Sequence, residues 1–157
     1  MISAGLGGLQ LKVAGNIQKI SATAFTNISG LSASVASAAV YQVDGQILYR
    51  MSVANGVAFA ITFPAGTVAA GRMEGNTSAG QGDISVLYVA GYFDEAGSGS
   101  VLLSLNPAST STRTVRFEGV FQVSTTAGTI QIQSKVSAAA APVNIQKGSY
   151  LRAYKVG

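Results

Sequence analysis

The stretch from Val115 to Lys135, VRFEGVFQVSTTAGTIQIQSK, sets the tightest limit on the fold. Val115, Phe117, Phe121 and Val123 fall on one side of an extended chain, with Arg116, Glu118 and Gln122 on the other. After Ser124–Gly128 the pattern resumes: Ile130 and Ile132 oppose Gln131, Gln133 and Lys135. A period of two marks a strand with one buried face. Two such runs joined by a short polar segment predict an antiparallel hairpin, with Gly128 free to take positive φ in the turn. Gly119 interrupts the first apolar face, which predicts a bulge or a close backbone approach.

The same period runs through the rest of the chain. Residues 17–28 read as a strand with Ile20, Ala22 and Ala24 on one side, ended by a polar turn at Gly30, and a thin second strand follows from Leu31. From Val40 to Val53, Tyr41, Val43, Ile47, Tyr49 and Met51 share a face, and Gly45 reads as a bulge inside one strand. Asn55–Gly56 is a turn, and Val57, Phe59, Ile61 and Phe63 form the next face. Weaker strands cover 67–74 and the run VLLSLN, and a strong apolar strand covers Ile84–Phe93. Loops are expected at NTSAGQGD, DEAGSGS and ASTSTR. SYLRAYKV closes the chain, with Tyr150, Arg152, Tyr154 and Val156 on one face. Helix propensity competes only around Val35. Nine or ten strands separated by turns predict an all-β, antiparallel sandwich.

Chemistry is bounded by what is missing. The chain has no histidine, cysteine or tryptophan. That excludes a Ser-His-Asp triad, a cysteine nucleophile and any imidazole or thiolate metal site. Asp94–Glu95 is the only adjacent acidic pair, and it lacks the spacing of a calcium loop. Glu74 and Asp83 flank a glycine loop, but nothing in their placement asks for glycosidase carboxylates. No enzyme activity and no cofactor are expected.

One domain is expected for 157 residues. Charged residues make up only 10% of the chain, against about 25% in an ordinary protein. So little charge implies that part of the surface is covered by other subunits or another protein. The net charge of +4 is scattered, so no nucleic-acid site is expected, and no apolar run is long enough for a membrane span. The N-terminus lacks the charged region and continuous apolar core of a signal peptide. Residues 1–15 read either as a frayed end or as an extended arm, with 16–157 as the folded domain. The large apolar residues Ile2, Leu6, Leu9 and Leu11 favour an arm that docks outside its own subunit.

The C-terminal half resembles the tumour necrosis factor-like jelly roll, and most closely its short phage-encoded members. The residues that carry this are VRFEG at 115–119, TAGTI at 126–130 and GSYLRAYKV at 148–156. Upstream, ISATAFTNISGLSASVA and YQVDGQILYR are similar to the opening strands, so the likeness covers roughly 17–157. It implies two sheets in jelly-roll order and a homotrimer whose inner sheet, holding the first and last strands, faces the three-fold axis. Tyr41, Tyr49, Tyr150, Arg152 and Tyr154 thereby become candidates for the trimer interface. Arg116 and Glu118, two apart on one strand face, are expected to form a cross-strand or intersubunit pair.

The phage-encoded members are mostly virion parts. The resemblance therefore implies a capsid decoration or cement protein on the outer capsid surface, made in the host cytoplasm. Its partners would be itself and the major capsid protein, with no small-molecule substrate. Ile2, Leu6, Leu9 and Leu11 would form the capsid-docking arm. The alternative is a receptor-binding head of a tail fibre or spike. The expected loops hold no aromatic residue that would stack on a sugar, which favours the structural role.

Overall fold

The computed structural model describes residues 10–51, 53, 55–76, 88–97, 100–105 and 111–156. Twelve strands lie among them: β1 (Gln10–Val13), β2 (Gln18–Ile20), β3 (Thr26–Val35), β4 (Ala39–Met51), β5 (Val57–Thr62), β6 (Thr67–Asn76), β7 (Tyr88–Gly97), β8 (Ser100–Leu105), β9 (Arg113–Val123), β10 (Gly128–Val136), β11 (Val143–Ile145) and β12 (Tyr150–Lys155). They form two antiparallel sheets. The larger runs β1-β12-β4-β9-β6-β7, with β11 bridging β2 and β4, and the smaller runs β3-β10-β5-β8.

The pairing is nested. β1 pairs with β12, β3 with β10, β4 with β9, and β5 with β8. The chain is a long antiparallel ribbon: β1–β12, β2–β11 and β4–β9 lie in the larger sheet, and β3–β10 and β5–β8 in the smaller. The β6–β7 hairpin is inserted between the two strands of the innermost pair and extends the larger sheet beyond β9.

The core fills the space between the sheets. Tyr41, Val43, Ile47, Tyr49 and Met51 of β4 and Val115, Phe117, Phe121 and Val123 of β9 supply one wall. Ile28, Leu31, Ala33 and Val35 of β3, Phe59 and Ile61 of β5, and Ile130 and Ile132 of β10 supply the other. Rings interdigitate across the gap: Tyr49 meets Phe59 at 5.1 Å between centroids, and Phe63 meets Phe121 edge-on at 5.5 Å.

Several expectations are corrected. The runs on either side of Ser124–Gly128 are not a hairpin, because β9 and β10 lie in different sheets. Their apolar faces meet the same core from opposite sides, an arrangement that alternation alone cannot tell from pairing. Gly128 does not take positive φ. It opens β10, and an added Cβ there would lie 2.9 Å from the Pro64 ring. Gly45 is not a bulge, since β4 and β9 stay in register from Ala39 to Tyr49. A Cβ at Gly45 would collide with Cζ of Phe117 and with the Tyr150 carbonyl, so its role is close approach.

The bulge falls instead in β3. Gln131 pairs with Ser32, but Gln133 pairs with Asn27, so Ile28–Leu31 arch out of register with Gly30 at φ 80°. Two glutamines hold the arch. The Gln131 side-chain amide donates to the carbonyls of Ile28 and Leu31 at 3.3 and 3.1 Å. The Gln18 amide donates to the Ser29 carbonyl at 2.6 Å and accepts from its N–H at 2.8 Å. The strand expected over 17–28 is therefore broken, and the turn expected at Gly30 lies inside β3. The segment around Val35 ends that strand and is not helical.

The expected loop DEAGSGS is also corrected in part: Asp94–Gly97 continue β7 and pair with Thr67–Ala70. Residues 10–14 are not an arm reaching outside the subunit. β1 pairs with β12 of its own chain, and the buried Ala14 donates its N–H to the Ser149 carbonyl. The arm residues Ile2, Leu6 and Leu9, Asp83, and the expected start of a strand at Ile84 lie outside the described residues.

Candidate subunit-docking face

The outer face of the larger sheet is built by strand parity. Odd-numbered residues of β4, β6 and β9 go to the core, so the even-numbered ones face out. Register then aligns them in rows across β12, β4, β9 and β6. The first row is Tyr150, Gln46, Arg116 and Glu74, and the second is Arg152, Asp44, Glu118 and Arg72, with Leu11 at its β1 end. The third is Tyr154, Gln42, Val120 and Ala70. The fourth joins Val156, Val40, Gln122 and Val68.

Charge is concentrated in the first two rows. Asp44 and Glu118 stand directly opposite each other on β4 and β9, a pairing of like charges that costs stability if left alone. Each is neutralised from its far side. Arg152 grips Asp44 with Nε at 3.0 and 3.1 Å from the two carboxylate oxygens and Nη2 at 2.7 Å. These hydrogen bonds, followed by the Asp44 charge, hold the guanidinium further above its ordinary pKa. Arg72 Nε meets Glu118 at 2.8 Å. Such exposed pairs add roughly 0–1 kcal/mol to a fold. A paired charge is also less costly to desolvate than a lone one.

Between these two rows runs a groove of about 290 Å³, lined by Asp44, Gln46, Arg72, Glu74, Arg116 and Glu118, with Tyr150 at its side. All three carboxylates whose side chains are described are here, matched by three arginines. Apolar side chains lie at the β1 end of the second row and within the third and fourth rows. Leu11, Val68, Val120 and Val156 are 57, 44, 47 and 54% exposed, four of the six large hydrophobics on the described surface. The smaller sheet differs. Its outer positions include Ser32, Ser34, Thr129, Gln131, Gln133, Thr62, Ser104 and Lys135, the last stacked 4.7 Å over the Phe25 ring, together with the buried Ala58 and Ala60. No exposed large hydrophobic lies there among the described residues.

The structure sorts the candidate residues. Tyr150, Arg152, Tyr154, Arg116, Glu118 and Leu11 all share this outer face. Tyr41 and Tyr49 do not, and their assignment to a trimer interface is corrected. Their odd parity in β4 turns them into the subunit's own core, where they are 5 and 0% exposed. Tyr41 Oη accepts the Ala36 N–H at 2.9 Å, and burial pushes the Tyr49 hydroxyl up to about 12, with Arg113 acting the other way. Within the subunit, Glu118 makes its cross-strand pair with Arg72. The sequence reading missed Asp44, Arg72 and Val120. Parity places Asp44 and Val120 outside, but their alignment depends on register between distant strands.

No family model and no curated protein matches the chain. Among solved structures, the infectious bursal disease virus VP2 subviral particle is 8% identical over 96% of this chain and 42% of that one, with a TM-score of 0.24. Infectious bursal disease virus strain Gt is 11% identical over 95% and 37%, at 0.21, and strain Gx is 10% identical over 94% and 36%, at 0.23. This chain spans less than half the length of each, and at these scores the likeness carries no argument about fold or function.

Proposed function

We propose that this chain is a structural virion protein: a homotrimeric jelly roll that decorates and cements the outer surface of a phage capsid. The nested pairing of β1 with β12, β3 with β10, β4 with β9 and β5 with β8 supports the jelly-roll reading, in which a double ribbon is wound into two sheets. The trimer reading is carried by one observation, the outer face of the larger sheet. It holds the first and last strands, β1 and β12, as the resemblance requires of an axis-facing sheet. It is neutral in its charged rows and apolar beside them, the composition of a surface that docks on copies of itself. The phage placement rests on the likeness of VRFEG, TAGTI and GSYLRAYKV to the phage-encoded members.

The role needs no catalysis and no cofactor. A trimer that binds the assembled major capsid protein, and not its dissociated form, stabilises the shell by mass action. Three linked copies multiply weak contacts. Residues 1–9, with Ile2, Leu6 and Leu9, are the segment proposed to reach the shell.

Co-sedimentation with undecorated phage shells tests the reading. Saturable pelleting at three chains per site, weakened when residues 1–9 are deleted, is expected. A trimer that stays in the supernatant at every ratio refutes the capsid role.

A further inference from the structure

We propose that Arg116 and Glu74 pair between copies of this chain and close an alternating ring of six charges around the three-fold axis. The inference rests on the trimer reading and deepens it. Of the six charged side chains in the first two rows, four are already committed to the pairs Arg152–Asp44 and Arg72–Glu118. Arg116 and Glu74 remain. They stand directly opposite each other on β9 and β6, as Glu118 and Arg72 do one row away. Yet among the described residues neither makes an ion pair or side-chain hydrogen bond, and both line the same groove. One sheet face therefore presents an uncommitted cation beside an uncommitted anion, on neighbouring strands about 5 Å apart.

That arrangement is complementary to itself. In a ring each subunit gives one surface to the next and receives the other from the last. Three copies facing one axis place Arg116 of each beside Glu74 of the next, so the signs alternate around the ring. A ligand of single charge would meet one favourable and one opposing group in the groove. A second copy meets both favourably. The exposed Val120 and half-buried Tyr154 beside the groove supply apolar area, and the ring fixes the register in which that area meets.

The test is a set of charge reversals in the full chain, read as the concentration at which the light-scattering mass falls from trimer to monomer. Arg116→Glu and Glu74→Arg alone are expected to raise that midpoint at least about tenfold, which for a monomer–trimer equilibrium is about a hundredfold in the constant and about 2.8 kcal/mol per trimer, with an unchanged far-UV circular dichroism spectrum. An equimolar mixture of the two restores opposite charges at two of three junctions in every mixed trimer, and recovers most of the loss. The double reversal in one chain restores all three. Arg116→Gln and Glu74→Gln, which carry no repulsion, give a smaller rise and guard against a reversal that misfolds. If the wild type is a trimer but mixing rescues nothing, the pair does not act between copies and the inference is overturned. If the wild type is a monomer at every concentration, the trimer reading itself fails.

Discussion

Gly45 sits at the crossing of three strands, with the Phe117 ring and the Tyr150 carbonyl where its side chain would be. Gly45→Ala is expected to cost about 1–3 kcal/mol through overpacking, read as a lower urea midpoint. Trimming Phe117 in the same chain should relieve only part of that cost, because the carbonyl is backbone and cannot move aside. Two buried serines separate in the opposite way. Ser149 is fully buried and accepts the Leu48 N–H at 2.9 Å, with the Gln146 carbonyl 2.9 Å away. Ser134 is equally buried among the core residues of β10, and its hydroxyl has no partner among the described residues. Ser149→Ala should destabilise by about 1–3 kcal/mol, while Ser134→Ala should be neutral or stabilising. Equal losses at both would contradict the hydrogen-bond assignment. Tyr49 gives a pH prediction. Its folded pKa of about 12 lies above the ordinary 10.0. Its contribution is therefore complete below pH 10 and is lost as pH rises towards 12. Two units correspond to about 2–3 kcal/mol. Unfolding free energy should fall between pH 10 and 12 in the wild type, and Tyr49→Phe should remove that part of the slope.

At the scale of elements, the bulge in β3 rests on glutamine side chains contributed by β2 and β10. The Gln131 amide also lies 2.7 Å from the Ile132 carbonyl, so one side chain serves three carbonyls. Gln131→Ala should cost about 1–2 kcal/mol and speed hydrogen exchange across Thr26–Val35, leaving β4 and β9 protected. Uniform exchange across both sheets would show that the arch is held by something else. This bulge was invisible in the sequence for a physical reason. Its cause is a contact between Gln131 and carbonyls about a hundred residues earlier, and no local pattern encodes it. Parity was legible wherever one face meets the core, as in Tyr41–Met51 and Val115–Val123. Neighbourhood was not. β9 and β10 alternate like partners and are adjacent in sequence, yet each pairs with strands far away. The candidate face shows the same limit. Tyr150, Arg152 and Tyr154 could be placed together because they share one short strand. Their alignment with Asp44, Glu118 and Arg72 needed the register between four strands. Tyr41 and Tyr49 were misassigned because an aromatic at a strand's odd positions reads alike in a core and in an interface.

The whole molecule is asymmetric in its surfaces. One sheet turns serine, threonine and glutamine outward. The other turns out paired arginines and carboxylates with exposed valines beside them. With only 10% charged residues, the chain has little else to keep a bare apolar face in water. Covering that face with two further copies removes the exposed valines and keeps each charge matched. Association in solution decides whether that face docks on other copies, and mass by light scattering measures it directly. The predicted result is a species of three times the 15.9 kDa chain mass that persists on dilution into the low micromolar range. A species of a single chain mass at every concentration would contradict the docking face, the charge ring and the trimer together.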